Sequence, residues 1–290
     1  MMKKASLPWG LVLCAALALT ACGWGHSARM LKDSRPFKQH RPLRVSVDLP
    51  VGTVRITRGD DRSLYDLQFS YCRHHFRVNS LFQEATVSQT SGEGDRLTIT
   101  GVGIPASPAA GEEPNLLSLL LRAGTPTDLR VAGGIGDLEM DLTGLSVRHL
   151  TVHGGTSAMK IVFKAGNPLA LEDLRVIAGT GDSRLEGLGW GNVASLQFYG
   201  GAGSASLDWS GPGPREAAAF VDAGTGSIEM VLPKDLGVAI SGRGLEPVAP
   251  PEGFRAVGDA WASLNFQQVD RHLTVVLDRG NAVLRFRWHA

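Results

Sequence analysis

Apolar and polar residues alternate in short runs separated by glycine-rich triplets. In each unit, apolar residues lie three and five positions before the triplet, and alternate positions after it are again apolar. Strict alternation is typical of a strand with one buried face, so each unit predicts a strand, a corner and a second strand. The triplets are Gly134-Ile135-Gly136, Gly155-Thr156-Ser157, Gly179-Thr180-Gly181, Gly201-Ala202-Gly203 and Gly224-Thr225-Gly226.

The triplets begin 21, 24, 22 and 23 residues apart, a period typical of a solenoid. The inward positions before them are Leu129, Val131, Leu150, Val152, Leu174, Val176, Leu196, Phe198, Ala219 and Val221. We expect the corner glycines to supply positive φ or a close approach between stacked backbones.

Stacked coils also predict ladders of outward side chains about 4.8 Å apart. One ladder is Glu139, Lys160, Arg184, Ser206 and Glu229, and the next is Asp141, Val162, Glu186, Asp208 and Val231. One interpretation is a solvated ladder that keeps the sheet soluble. The other is that Arg184, Glu186 and Asp208 meet a charged partner or a divalent ion.

Segments outside the main run extend the pattern. Val45 and Val47 precede Gly52, and Val275 and Leu277 precede Gly280, as in the other units. Further strands are predicted at 65–71, 85–89 and 97–100, and loops at 105–114 and 241–255. The predicted organisation is a signal peptide (1–21), an anchor with a basic linker (22–42), an N-terminal β portion (43–104), a loop (105–114) and β-helix repeats (115–290). An insertion at 241–268 is expected to cover an end or flank of the solenoid.

The first residues have the composition of a bacterial export signal. Lys3 and Lys4 precede an apolar stretch from Leu7 to Leu19, which is too short for a membrane span of roughly 20 residues. The following Leu19-Thr20-Ala21-Cys22 resembles the lipobox of bacterial lipoproteins, which implies cleavage before Cys22 and lipid on its thiol. Gly23 favours the outer membrane facing the periplasm if the host is Gram-negative, because Asp there favours inner-membrane retention.

Charge is unevenly distributed. Residues 29–44 contain six basic side chains and one acidic one, whereas residues 45–290 contain 21 basic and 27 acidic ones. The basic segment could contact anionic headgroups or serve only as a solvated spacer. The acidic remainder argues against nucleic-acid binding.

Neither a metal nor a cofactor site is predicted. In Cys72-Arg73-His74-His75, a strand would place only Cys72 and His74 on one face, whereas structural zinc needs four ligands. Cys72 has no partner for an intramolecular disulfide once Cys14 and Cys22 are assigned to the leader. The glycine triplets lack the continuation of a phosphate-binding loop. Trp209 occupies an inward position, and Trp190, in the loop at 187–191, is the candidate for exposure. A sugar-stacking platform of Trp190, Trp209, Trp261 and Trp288 is the alternative.

From about residue 43 onward, the order of elements resembles the toast-rack family of bacterial envelope proteins, which is related to adhesin-like and cell-wall-active-antibiotic-response domains. The resemblance rests on the Leu-x-Val-x-Gly-Gly starts, on Leu185-Glu186-Gly187-Leu188-Gly189, on Val231-Leu232-Pro233 and on the final strand pair at 273–288. Ser157 and Ala282 replace the expected second glycine. The resemblance implies an all-β fold, a single-stranded right-handed β-helix, often in proteins tied to envelope stress responses.

Together these features predict a non-catalytic lipoprotein of the bacterial envelope, a scaffold or sensor. Its expected partners are the membrane, through lipid on Cys22, and an envelope protein or the cell wall. An adhesin or carbohydrate-binding module is the alternative and would expose rows of aromatic side chains. A β-helix enzyme acting on polysaccharides is a further one and would cluster ionisable residues in a groove.

Overall fold

The computed structural model describes residues 28–39, 41–72, 76–85, 94–103, 115–245 and 249–289. Cys22, the predicted signal peptide and the predicted loop at 105–114 lie outside these ranges. The described residues form strands and turns, and no helix among them could span a membrane. The all-β prediction is confirmed.

The strands are β1 (Ala28–Pro36), β2 (Leu43–Val51), β3 (Thr53–Arg58), β4 (Ser63–Cys72), β5 (Phe76–Gln83), β6 (Asp95–Gly103), β7 (Leu116–Leu121), β8 (Pro126–Ile135), β9 (Leu138–Asp141), β10 (Ser146–His153), β11 (Met159–Val162), β12 (Asp173–Ile177), β13 (Ser183–Glu186), β14 (Ser195–Tyr199), β15 (Ser204–Asp208), β16 (Glu216–Asp222), β17 (Ser227–Pro233), β18 (Leu236–Arg243), β19 (Phe254–Val257), β20 (Ala260–Ser263), β21 (Arg271–Asp278) and β22 (Val283–His289).

The strands form two long sheets. Sheet A has the order β1-β4-β7-β3-β9-β11-β13-β15-β17-β22, and sheet B has the order β19-β20-β18-β21-β16-β14-β12-β10-β8-β2-β6-β5. In the central part, consecutive strands alternate between the sheets, and neighbours within each sheet are parallel. Each coil therefore contributes one strand to each sheet, as in a solenoid. The right-handed sense of the coil stays a prediction.

The predicted inward residues stack in register and form the core. Leu150 pairs with Leu129 on one side and with Leu174 on the other, and Val152 follows the same rule. In sheet A, Ile161 lies between Met140 and Leu185. All these side chains are buried. The alternation therefore fixes the register because a slip by one residue would turn the apolar set outward.

The corner glycines are required by close contact between coils. A Cβ on Gly155 would collide with the carbonyl oxygen of Gly134, and one on Gly179 would collide with that of Gly155. The next residue along uses the same oxygen: the N–H of Thr156 donates to Gly134 O and that of Thr180 to Gly155 O, both at 3.0 Å. Neither Gly155 nor Gly179 has positive φ. Close approach, the second of the two expected reasons, applies here.

The replacements of the second glycine leave the stacking intact. The N–H of Gly136 donates to Ser157 Oγ at 3.1 Å, so the serine hydroxyl ties its corner to the preceding one. Ala282 is buried at the last corner, and the strand after it keeps its register with β17.

Non-coil strands close the N-terminal end of the stack. The β6–β7 coil packs outside β2–β3; β4 then pairs antiparallel with β7, β1 with β4, and β5 with β6. The expected linker over 22–42 is therefore wrong for Ala28–Pro36, which is the edge strand of sheet A. Leu31 packs against the core, but the partly buried Asp33 interrupts the apolar alternation that would have revealed a strand.

Strand β5 was not predicted. The expected strand at 85–89 falls largely on residues 86–93, which the structure does not describe, and Ala85 itself lies outside any strand. Along β5 the inward-facing residues include the polar Ser80, and the outward-facing Leu81 is half exposed. Apolar and polar residues therefore do not alternate there as they do in the coils.

The insertion at 241–268 covers the C-terminal end, as predicted. β21 lies between β16 and β18, so that β18 and the β19–β20 hairpin extend sheet B beyond the last coil. Phe254 and Trp261 lie 5.3 and 6.4 Å from the ring of Phe286 on β22. The predicted loop at 241–255 is wrong at both limits, because β18 reaches Arg243 and β19 begins at Phe254.

Candidate binding faces

The predicted ladder of charges lies on the outward face of sheet A. Lys160 is directly opposite Glu139 and Arg184, and Ser206 is opposite Arg184 and Glu229. The register of the ladder is therefore confirmed.

The ion pairs on this face follow side-chain reach more than register. Glu139 Oε2 accepts a hydrogen bond from Arg55 Nε at 2.6 Å, which raises the pKa of the arginine. Lys160 Nζ lies 3.0 Å from Glu186 Oε1, on the other ladder, and its register neighbour Arg184 forms no ion pair or hydrogen bond with the described residues. The neighbouring cations Lys160 and Arg184 therefore do not share an acidic partner.

Four neighbouring strands of this face, β13, β15, β17 and β22, form a shallow groove of about 590 Å³. Its floor is formed by the short side chains of Ser204, Ser206 and Ser227, and the longer chains on the flanking strands form its walls. The ionisable lining residues are Asp182, Arg184, Glu186, Asp208, Glu229, Arg285, Arg287 and His289. A groove of ionisable residues was the feature expected of a polysaccharide-acting enzyme.

The acids of this groove are already bonded within the fold. Asp208 accepts hydrogen bonds from the N–H and the hydroxyl of Ser210, both at 2.9 Å. Asp182 accepts from the N–H of Ser204 at 3.0 Å. In the part of the chain that the structure describes, no three His, Cys, Asp or Glu side chains are placed to hold a metal ion. These contacts support the interpretation of the ladder as a solvated structural feature.

The tryptophans do not form one platform. Trp209 is 2% exposed, as its inward position predicted, and Trp261 and Trp288 belong to the C-terminal end. Trp190 is 38% exposed and lies against the backbone of Gly211. Cys72 ends β4, and residues 73–75 lie outside the described residues.

A second ladder, not singled out from the sequence, lies on the outward face of sheet B. Arg130 on β8, Thr151 on β10 and Arg175 on β12 are direct register neighbours. His153 lies two residues beyond Thr151 on the same strand face. Burial lowers the pKa of His153, and the nearby Arg130 and Arg175 lower it further.

The same face becomes aromatic towards the C-terminal coils. The guanidinium of Arg175 lies 5.0 Å from the centre of the Tyr199 ring, which lies 5.6 Å from that of Phe220. Phe220 and its register neighbour Val276 on β21 are 36% and 46% exposed. The signal was present in the sequence: four residues before each triplet stand Arg130, Thr151, Arg175, Gln197 and Phe220.

Comparison with known proteins identifies part of this fold. Residues 30–168 match the family model of the N-terminal domain of toast_rack, DUF2154. No curated protein matches the chain. A crystal structure of a Clostridium sporogenes protein, described as a candidate cell adhesion protein, aligns with 91% of this chain and 100% of its own at 15% identity and a TM-score of 0.44.

The matched region begins inside β1 and ends after β11, so it contains the N-terminal end and the first coils of the main run. It thus confirms the resemblance that the glycine and apolar periodicity suggested. Residues 30–168 therefore match the N-terminal domain of the toast-rack family.

Proposed function

We propose that this protein is a non-catalytic, lipid-anchored protein of the bacterial cell envelope that serves as a rigid binding scaffold. The observation behind this proposal is the closure of the coil stack at both ends by strands that are not coils. Closed ends oppose end-to-end polymerisation. They leave the two long outward faces as the regular surfaces available to partners.

The proposed anchor would hold one end of the stack near the membrane. Only five residues, 23–27, lie between Cys22 and Ala28, where β1 begins, and the six residue steps from Cys22 to Ala28 span at most about 20 Å. Because β1 is part of sheet A, the tether is much shorter than a linker over 22–42 would be. The exposed Arg29 and Lys32 on β1 would then face anionic headgroups, each contributing roughly 1 kcal/mol near the surface.

The remaining features of the proposal follow from the same arrangement. Glycine after the lipidated cysteine favours the outer membrane in a Gram-negative host. The acids of the sheet A groove are held by neighbouring groups, which suits a surface ladder better than acid–base chemistry. A right-handed coil is expected because crossovers between parallel strands are nearly always right-handed. A role in envelope stress is what the family resemblance implies.

The anchor can be tested by labelling cells with radioactive palmitate. Cys22→Ser should abolish incorporation and move the protein from the detergent phase to the aqueous phase. Cys72→Ser is the matched control, since it removes the other thiol of the expected mature chain and should leave labelling unchanged. Label that persists in the Cys22→Ser protein would refute the anchor.

A further inference from the structure

We infer that the outward face of sheet B binds an extended anionic glycan. Arg130, His153 and Arg175 would hold its acidic groups around Thr151, and Tyr199 and Phe220 would pack against its sugar rings. The inference rests on the proposed role as a binding scaffold and identifies its ligand.

The cations surround a small side chain on a flat surface. Arg130 and Arg175 flank Thr151 from the two neighbouring strands, so their Cα atoms are about 10 Å apart. Both arginines are exposed. Neither Arg130 nor Arg175 forms a hydrogen bond or ion pair with any described residue, and the guanidinium of Arg175 lies over the ring of Tyr199. Two guanidinium groups at this spacing, neither with an acidic partner, can converge on one carboxylate or phosphate above the threonine.

The acids nearby do not neutralise this cluster. Asp128 accepts hydrogen bonds from Arg148 at 2.9 Å, and its other oxygen lies 3.0 Å from the ring of His149. Asp173 lies 3.5 Å from the amide of Gln197. Asp48, in the register row of His153, is two strands away. Burial lowers the pKa of His153, and the charges of Arg130 and Arg175 lower it further.

Two shallow depressions continue the site across the strands. One of about 320 Å³ includes Ser46 and Thr151, with arginines at its margin, and the other of about 400 Å³ has a floor of Ser195, Ala218 and Thr274 beside Phe220. Both depressions are lined by the same two register rows of this sheet face, the row of His149 and the row of Thr151. From β6 to β21 the face spans seven strand spacings, or roughly 34 Å. A site of this shape fits a long ligand that runs across the strands.

The chemistry of the face favours a glycan over a peptide. A peptide gains affinity by pairing its backbone with a free sheet edge, and these central strands have neighbours on both sides. A sugar polymer has ring hydroxyls for Thr151, Ser195 and Gln197. The apolar faces of its rings can pack on exposed aromatic side chains. Carboxylate or phosphate substituents supply the charge that the arginines require.

The probe for this site is polygalacturonate, immobilised and titrated with the purified full-length chain in neutral detergent. Polyglutamate of equal length has the same charge without sugar rings, and dextran has rings without charge. Arg175→Gln and Phe220→Ala test the two halves of the site. Arg184→Gln on sheet A is the matched control, because it removes an equally unpaired exposed arginine from the opposite face.

We expect Arg175→Gln and Phe220→Ala each to weaken polygalacturonate binding about tenfold, and Arg184→Gln to leave it unchanged. Polyglutamate and dextran should bind at least about tenfold more weakly. Binding should also raise the NMR pKa of His153, since an anion favours the protonated ring. Equal losses in all three variants, equal affinity for polyglutamate, or no binding would each overturn the inference. Each of these outcomes would leave the palmitate result for Cys22 unaffected.

Discussion

Asp33 accepts a hydrogen bond from the hydroxyl of Tyr65 at 2.9 Å and joins strands that close the N-terminal end of the coil stack. Tyr65 is fully buried on β4. The same carboxylate oxygen accepts a bond from Ser80 Oγ at 3.1 Å, so one acid on β1 connects sheet A with β5 of sheet B. A residue expected in the basic linker therefore completes the end of the core.

Removing this acceptor should destabilise the protein. Asp33→Ala removes the acceptor of the buried Tyr65 hydroxyl, and a buried donor without an acceptor costs about 1–3 kcal/mol. Urea unfolding of the variant should show this loss. Lys32→Ala, the exposed neighbour on the same strand, should change stability by less than about 0.5 kcal/mol. Equal effects of the two substitutions would show that the bond contributes nothing specific.

Tyr65 also predicts an alkaline limit to stability. Burial raises its pKa, and the hydrogen bond to Asp33 raises it further. A group with a raised folded-state pKa stabilises the protein below its unfolded-state value of about 10, and that contribution is lost as pH rises through the folded-state value. Urea unfolding should therefore show a stability decline from about pH 10 upward that Tyr65→Phe lacks. An unchanged pH profile in Tyr65→Phe would assign the decline to other groups.

The coils could be predicted from the sequence because one rule applies to every unit. Burial at alternate positions sets the register of Leu150 or Ile161 independently of the rest of the chain. The ends follow no such rule. β1 pairs with β4 and β21 enters between β16 and β18, and both pairings depend on contacts between segments distant in sequence.

The candidate sites also contain features that the sequence predicts and features that it does not. The sheet A ladder follows from register, so Glu139, Lys160 and Arg184 were placed correctly. The pairing of Lys160 with Glu186 depends on the reach of a flexible side chain, which spacing alone does not determine. The cluster around His153 combines positions from three strands, and no single ladder in the sequence contains all its members.

The corner glycines provide a test of coil stacking. Gly179→Ala would place its Cβ against the carbonyl oxygen of Gly155, so the coils must separate, at a cost of at least about 2 kcal/mol. Gly166→Ala is the control, because an added Cβ there meets no atom within 4 Å and φ is not positive. Thermal unfolding should show a large loss for the first variant and little change for the second. Similar melting of both would mean that the corners tolerate side chains.

The aromatic cluster at the C-terminal end should protect the last coil. Deleting residues 273–290 removes β22 and most of β21, which separates β18 from the stack and exposes apolar surface, so we expect aggregation. Phe254→Ala tests the cluster without deleting a strand and should cost about 3 kcal/mol. Val257→Ala, at an exposed position of the same strand, is the control. Light scattering and melting would follow these effects, and a soluble, monomeric deletion variant with unchanged melting would show that the final pair is dispensable.

The outward ladder of sheet A should contribute little to stability. Arg184 has no ion pair among the described residues, and within the same residues the carboxylate of Asp208 accepts hydrogen bonds only from Ser210 in its own turn. Exposed charges of this kind contribute roughly 0.2–1 kcal/mol, so Arg184→Ala and Asp208→Ala should each change the free energy of unfolding by less than about 1 kcal/mol. Neither substitution should abolish a cellular phenotype that depends on this protein. Cross-linked envelopes provide the opposing test: if the Asp208→Ala protein melts normally but no longer captures a partner that the unsubstituted protein captures, this groove is a binding site and the solvated-ladder interpretation is wrong.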